Sequence, residues 1–146
     1  MSMSRRDWSG GLVGLLFLAA LPAVRRWALS PETGWCAFDG QPIQPAYRVL
    51  VVEGPGQTRE FCCVRCADLW LRRQPDRPQD VVVTDEATGR PVVAAAAVFV
   101  RSTVVTQPTT GNRVHTFANP ADAHRHASAA RGTVLTGADR PFGPGE

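Results

Sequence analysis

A chain of 146 residues suits one compact domain plus a terminal segment. Hydrophobic residues at 44% are enough to fill a core, and charged residues at 20% argue against wholesale disorder. The formal net charge is +3, but residues 1–30 hold Arg5, Arg6, Arg25 and Arg26 against Asp7 alone. Removing these from 16 basic and 13 acidic residues leaves 12 of each, a neutral body without the basic stripe that nucleic-acid binding needs.

In chain order, Ser4-Arg5-Arg6-Asp7-Trp8 comes first, followed by an apolar run over residues 10–24. A spanning helix needs about 20 apolar residues, whereas the core of an export signal needs roughly 7–15. The run belongs to the second class, and the Ser-Arg-Arg-x-aromatic opening resembles a twin-arginine signal. Residues 1–30 are therefore expected to be an export signal or a retained membrane anchor. Retention is open because Ala28-Leu29-Ser30 runs straight into Pro31 and marks no clear cleavage point. No lipobox cysteine follows. The expected location is extracytoplasmic, either periplasmic or membrane-anchored.

Residues 31–137 read as the domain proper. After a linker at 31–34, β-rich residues 47–52 lead through the turn Glu53-Gly54-Pro55-Gly56-Gln57 to a returning strand at 58–61. A helix should start near Cys62 or Cys63 and reach residue 73, where Pro75 stops it; Cys62, Cys66, Leu69 and Trp70 would then share a face. Residues 81–83 form a strand, 85–91 a turn, 98–105 a strand, 108–112 a turn and 113–117 the return. Asn119-Pro120 opens a second helix with an N-cap amide and a proline at the first helical position. That helix ends before Gly132, residues 133–135 form a last strand, and 138–146 are a flexible tail. The two halves echo each other: strand, turn, strand ending in Phe61 or Phe117, then helix. The expected fold is α+β, a duplicated ββα unit with a mixed sheet packed on two helices.

All four cysteines fall between positions 36 and 66, spaced Cys36-x2-Asp39 and Cys62-Cys63-x2-Cys66. Cys36-Ala37-Phe38-Asp39-Gly40 reads as a knuckle, two donors flanking a turn that Gly40 can close with positive φ. Cys62, Cys63 and Cys66 stand at a helix start, where backbone N–H groups favour thiolate over thiol. A knuckle facing a helix N-terminus is a small treble-clef-like arrangement, and it sits in the first unit only. Thiolates select soft or borderline ions, chiefly Cu(I) and Zn(II). The candidate metal ligands are thus Cys36, Asp39, Cys62, Cys63 and Cys66. A structural disulfide is the second reading of the same residues and a catalytic thiol the third. His115, His124 and His126 read as surface histidines, since an i,i+2 pair on a helix cannot chelate together. No paired-carboxylate site, phosphate-cradling loop or Ser/His/Asp set is visible.

Cys36-Ala37-Phe38-Asp39-Gly40, Phe61-Cys62, Val83-Thr84-Asp85 with Thr88-Gly89, Ala97-Val98-Phe99-Val100, and Gly111 with Phe117 together resemble NosL. That family comprises accessory proteins of nitrous-oxide reductase, which bind Cu(I) and deliver copper outside the cytoplasm. The resemblance spans residues 35–137 and implies a duplicated ββα fold. It also implies copper(I) as cargo, with zinc as the other candidate, and a metal-accepting protein, such as a copper enzyme, as partner. The stretch 61–66 looks like a TRASH-type knuckle. Gln41 stands where the family shows Met, and Thr110-Gly111-Asn112 where it often shows Met-Gly-His. A thiolate site in the first unit is expected to replace those ligands. The same residues also look like the Cys-x2-Asp and second Cys of organomercurial lyase, in which Cys36 and Cys62 would hold mercury while Asp39 moves a proton. A third reading is a non-catalytic domain stabilised by zinc or a disulfide. Of these, a metal-binding accessory protein or metallochaperone is preferred to an enzyme.

Overall fold

The computed structural model describes residues 34–143; the expected export segment and the last three residues of the expected tail lie outside this range. Among the described residues no helix is long and apolar enough to cross a membrane.

The first unit opens with β1 (Val49–Gly54) and β2 (Gln57–Phe61), an antiparallel hairpin that pairs Val49 with Phe61. Helix α1 (Val64–Leu71) follows, then β3 (Asp80–Thr84), which returns antiparallel to β1, and β4 (Pro91–Val93) on its far edge. The strand order is β2-β1-β3-β4. In the second unit β5 (Val98–Arg101) pairs with β6 (Val114–Phe117), and α2 (Pro120–Ala129) leads to β7 (Thr133–Val134), which pairs with β5. The order there is β6-β5-β7, so β2-β1-β3 and β6-β5-β7 are the same arrangement. The duplication is present, and in each copy the strand after the helix rejoins the first, making the unit ββαβ. Both sheets are antiparallel, where one mixed sheet was expected.

Periodicity explains how β1 divides the interior. Successive strand residues point to opposite faces. Val49 and Val51 join Phe61, Phe99 and the four cysteines in the main core, while Leu50 and Val52 join Val82 on the other face. The Val-rich run is therefore buried on both sides. Phe61 and Phe117 occupy matching ends of β2 and β6, and six residues later Ala67 and Ala123 are both fully buried beneath their helices.

Several local expectations change. The helix begins at Val64, not at Cys62 or Cys63, because Cys63 keeps an extended backbone (φ −166°, ψ 166°) as the N-cap. Cys62 thus precedes the helix, and the buried helical residues are Val64, Cys66 and Ala67. β4 occupies Pro91, read as the end of a turn, and two valines given no element; three residues with no alternation carry no strand signal. His115 is not a surface histidine: it is 1% exposed, with Nδ1 2.8 Å from Glu86 Oε2 and its ring 4.1 Å from that of His126. His126 is half-buried, and His124 alone of the three is exposed. The tail is docked as far as Phe142. Arg140 donates to the carbonyls of Ala94, Ala95 and Ala97, and Phe142 meets Phe99 edge-on at 5.9 Å.

Where Gly132 was expected to cap α2, Arg131 takes the left-handed position (φ 47°) instead. Gly132 N–H then reaches back to Ala127 O at 2.8 Å, closing a Schellman-type end. Glycine is needed there for space, since a Cβ would sit 2.9 Å from Arg101 O. The two units are joined by the turn after β3. Glu86 and Thr116 exchange bonds through Glu86 N–H to Thr116 O (2.9 Å) and Thr116 N–H to Glu86 Oε1 (3.1 Å). Asp85 Oδ1 also accepts from Ala118 N–H at 3.2 Å.

Candidate metal centre

The knuckle is held by its own backbone. Trp35 bridges Pro42, Cys36 N–H donates to Gln41 O (2.8 Å), and Gly40 N–H donates to Cys36 O (2.9 Å). Gly40 lies at φ 68°, the left-handed conformation the turn was read to require. Ala37 N–H donates to Glu60 O at 2.8 Å, which docks the knuckle on the end of β2. Below it, Arg48 and Glu60 form an ion pair in which each side chain is only 5% exposed. The knuckle is therefore tied to the strand that delivers Cys62.

That strand ends at Phe61, and the chain bends through Cys62 and Cys63 into α1, whose first turn carries Cys66. Cys36, Asp39, Cys62 and Cys66 converge, with one ligand atom from each lying within 4.8 Å of all the others. Cys62 Sγ is 3.6 Å from Cys66 Sγ and 3.7 Å from Asp39 Oδ2; Cys66 Sγ is 3.3 Å from the same oxygen. Sulfurs about 3.5–4 Å apart are what tetrahedral coordination with bonds near 2.3 Å requires. A disulfide needs about 2.05 Å between sulfurs, and all four cysteines are free. Asp39 Oδ1 accepts from Gln41 N–H at 3.1 Å, which aims Oδ2 at the sulfurs.

Cys63 stands apart from this set. Its Sγ lies 3.8 Å from Cys62 Sγ and 3.5 Å from Thr110 Oγ1. Thr110 belongs to the turn between β5 and β6, so the second unit reaches over the site of the first. The sequence marks residues 108–112 as a turn but carries no sign of where that turn lands.

Every thiol is buried: Cys36 is 4% exposed, Cys62 and Cys63 1%, and Cys66 0%. Thiolates buried together repel and lose hydration, so the cluster must keep some protons or gather a cation. Cys62 and Cys66 act as donors within it. Hydrogen bonds from Cys62 and then Cys66 hold Cys36 well below the usual thiol range and bring Cys63 to about 3. Cys62 and Cys66 are pushed up, in each case chiefly by their bond to Cys36. Such a cluster releases protons when a metal arrives. Three sulfurs and one carboxylate oxygen suit a soft or borderline ion.

Comparison with known proteins places this architecture. Among solved structures the chain is similar to the copper chaperone NosL from Shewanella denitrificans, at 18% sequence identity, with a TM-score of 0.59 over 72% of this chain and 87% of that one. At this identity the likeness establishes a shared fold, as the sequence resemblance implied. No protein-family model matches the chain, and no curated protein matches its sequence. The chain thus has an α+β fold like that of NosL, and carries a potential metal-binding cluster of three cysteines and one aspartate.

Proposed function

We propose that this chain is an extracytoplasmic copper carrier. It binds Cu(I) through Cys36, Cys62 and Cys66 and passes it to a metal-accepting protein, such as a copper enzyme. The observation that carries the reading is the convergence of three buried sulfurs beside one carboxylate. The copper chaperone of the same fold supports copper as the cargo. Arg5-Arg6 and the short apolar run after them support export, and with it contact with a membrane during translocation or as an anchor.

Cu(I) is satisfied by thiolates alone, which leaves Asp39 as an acceptor beside them, whereas zinc would take Asp39 as its fourth ligand. The position of Asp39 Oδ2, 3.3 Å from Cys66 Sγ, favours a zinc reading as the alternative. Asp39→Asn separates the two, keeping copper and losing zinc. An organomercurial-lyase reaction needs a carbon-bound substrate to reach the sulfurs, and sulfurs less than 5% exposed favour a bare ion.

The test is anaerobic purification followed by Cu(I) titration against a competing chelator. Wild-type protein should take up copper with protection of its thiols, and Cys36→Ala should bind at least about tenfold more weakly. Equal affinity in Cys36→Ala, or native protein without free thiols or metal, would overturn the proposal.

A further inference from the structure

Four buried donors that close on one another hold an ion well, but a carrier must also release it. Ligand exchange at a closed thiolate site needs an incoming donor within reach. Cys63 is such a donor. It meets the cluster through Cys62, at 3.8 Å, and through Cys66, yet lies outside the set whose atoms fall within 4.8 Å of one another. Its other contact is Thr110 Oγ1, in the turn from the second unit.

The backbone explains why this thiol is available. Cys63 is the N-cap of α1, yet its side chain makes no capping bond. The matching residue of the second unit, Asn119, accepts from Ala121 N–H at 2.9 Å. A cap is worth about 1 kcal/mol, so the thiol occupies a position where the fold alone would favour a polar cap. Thr110 is suited to a sulfur that changes state. Its hydroxyl lies 3.5 Å from Cys63 Sγ and 3.4 Å from Gln107 O, within reach of donating to either. The same hydroxyl can turn and donate to a thiolate. Thr109 Oγ1 meets Gln41 Oε1 at 3.5 Å, so this turn also lies against the knuckle.

We infer that Cys63 is the transfer ligand of the site, the buried sulfur beneath the Thr109–Thr110 turn to which Cu(I) passes from the resident sulfurs before release. This rests on the copper-carrier reading. In the step, a Cu–S bond to Cys63 forms while the bond to Cys36 or Cys66 breaks. Cys62 stays bound as the shared ligand. Cys63 enters as a thiolate and the sulfur released leaves as one, so neither a proton nor an electron changes hands.

The test compares equilibrium with rate in the full chain. Cu(I) affinity is measured by competition, and transfer is followed as Cu(I) moves to excess bathocuproine disulfonate. Cys63→Ser should change affinity by less than about threefold while slowing transfer at least about tenfold. Serine keeps the size and can cap α1, so folding is retained; should it fail, Thr110→Val carries the test, with slower transfer at unchanged affinity expected. An affinity loss in Cys63→Ser as large as that of Cys36→Ala would make Cys63 a resident ligand and overturn the inference. Unchanged transfer in either variant would place the path elsewhere and overturn it too. Failure of the carrier reading shows separately, as wild-type protein that binds no Cu(I).

Discussion

The starts of the two helices are the same piece of backbone given two kinds of side chain. Phe61 and Phe117 end matching strands, Cys63 and Asn119 are matching N-caps in extended conformation, and Ala67 and Ala123 are matching buried alanines. Between them the second unit carries what folding asks for: Ala118, an asparagine that caps, and Pro120 at the first helical position. The first unit carries Cys62, Cys63 and Cys66 instead, and its cap side chain makes no capping bond. Where two copies of one motif differ this way, the copy that gives up local stability is the one with a second task. The knuckle reinforces this, since Cys36 and Asp39 precede β1 and have no counterpart ahead of β5.

The largest effect should come from giving the first unit the residues of the second. Cys62→Ala, Cys63→Asn and Cys66→Ala together should abolish metal uptake while leaving a folded protein by circular dichroism. Loss of buried sulfur costs stability, but the new asparagine cap returns about 1 kcal/mol. Next in size is the support below the knuckle. Glu60→Gln keeps a hydrogen bond to Arg48 but removes the charge that it meets there, and should destabilise by about 1–3 kcal/mol, read from chemical denaturation. In the second unit, Gly132→Ala forces a Cβ to within 2.9 Å of Arg101 O. It should cost about 1–3 kcal/mol without touching metal affinity.

The smallest effect concerns pH. Burial, and then the neighbouring His115, lower the pKa of His126 from 6.5. The unfolded chain therefore takes up this proton first as pH falls, and stability drops below that value. His126→Gln should flatten the fall in melting temperature between about pH 7 and pH 5. An equal fall in variant and wild type would remove His126 from the account.

Much of the arrangement is legible in the sequence because it is local. The duplicated strands and helices follow from Val-rich runs, Gly/Pro turns and the Asn119-Pro120 start. Cys36, Asp39, Cys62, Cys63 and Cys66 stand out by spacing, which does not separate Cys62 from Cys63, and Gly40 stands out by its place in the knuckle. What escapes is set by tertiary contact. His115 looks like a surface residue until Glu86, 29 positions earlier, comes to meet it. Thr110 reaches Cys63 across 47 positions, and no pattern near either residue announces it. The end of the chain reads as a tail because Arg140 finds its three carbonyls through the fold alone.

The central claim is that the first unit holds copper by sulfur. X-ray absorption at the copper edge, on protein loaded anaerobically with one equivalent of Cu(I), tests this most directly. The account predicts a first shell of two or three sulfurs, reduced in Cys36→Ala. A shell of nitrogen and oxygen without sulfur, or copper lost on desalting, would contradict it.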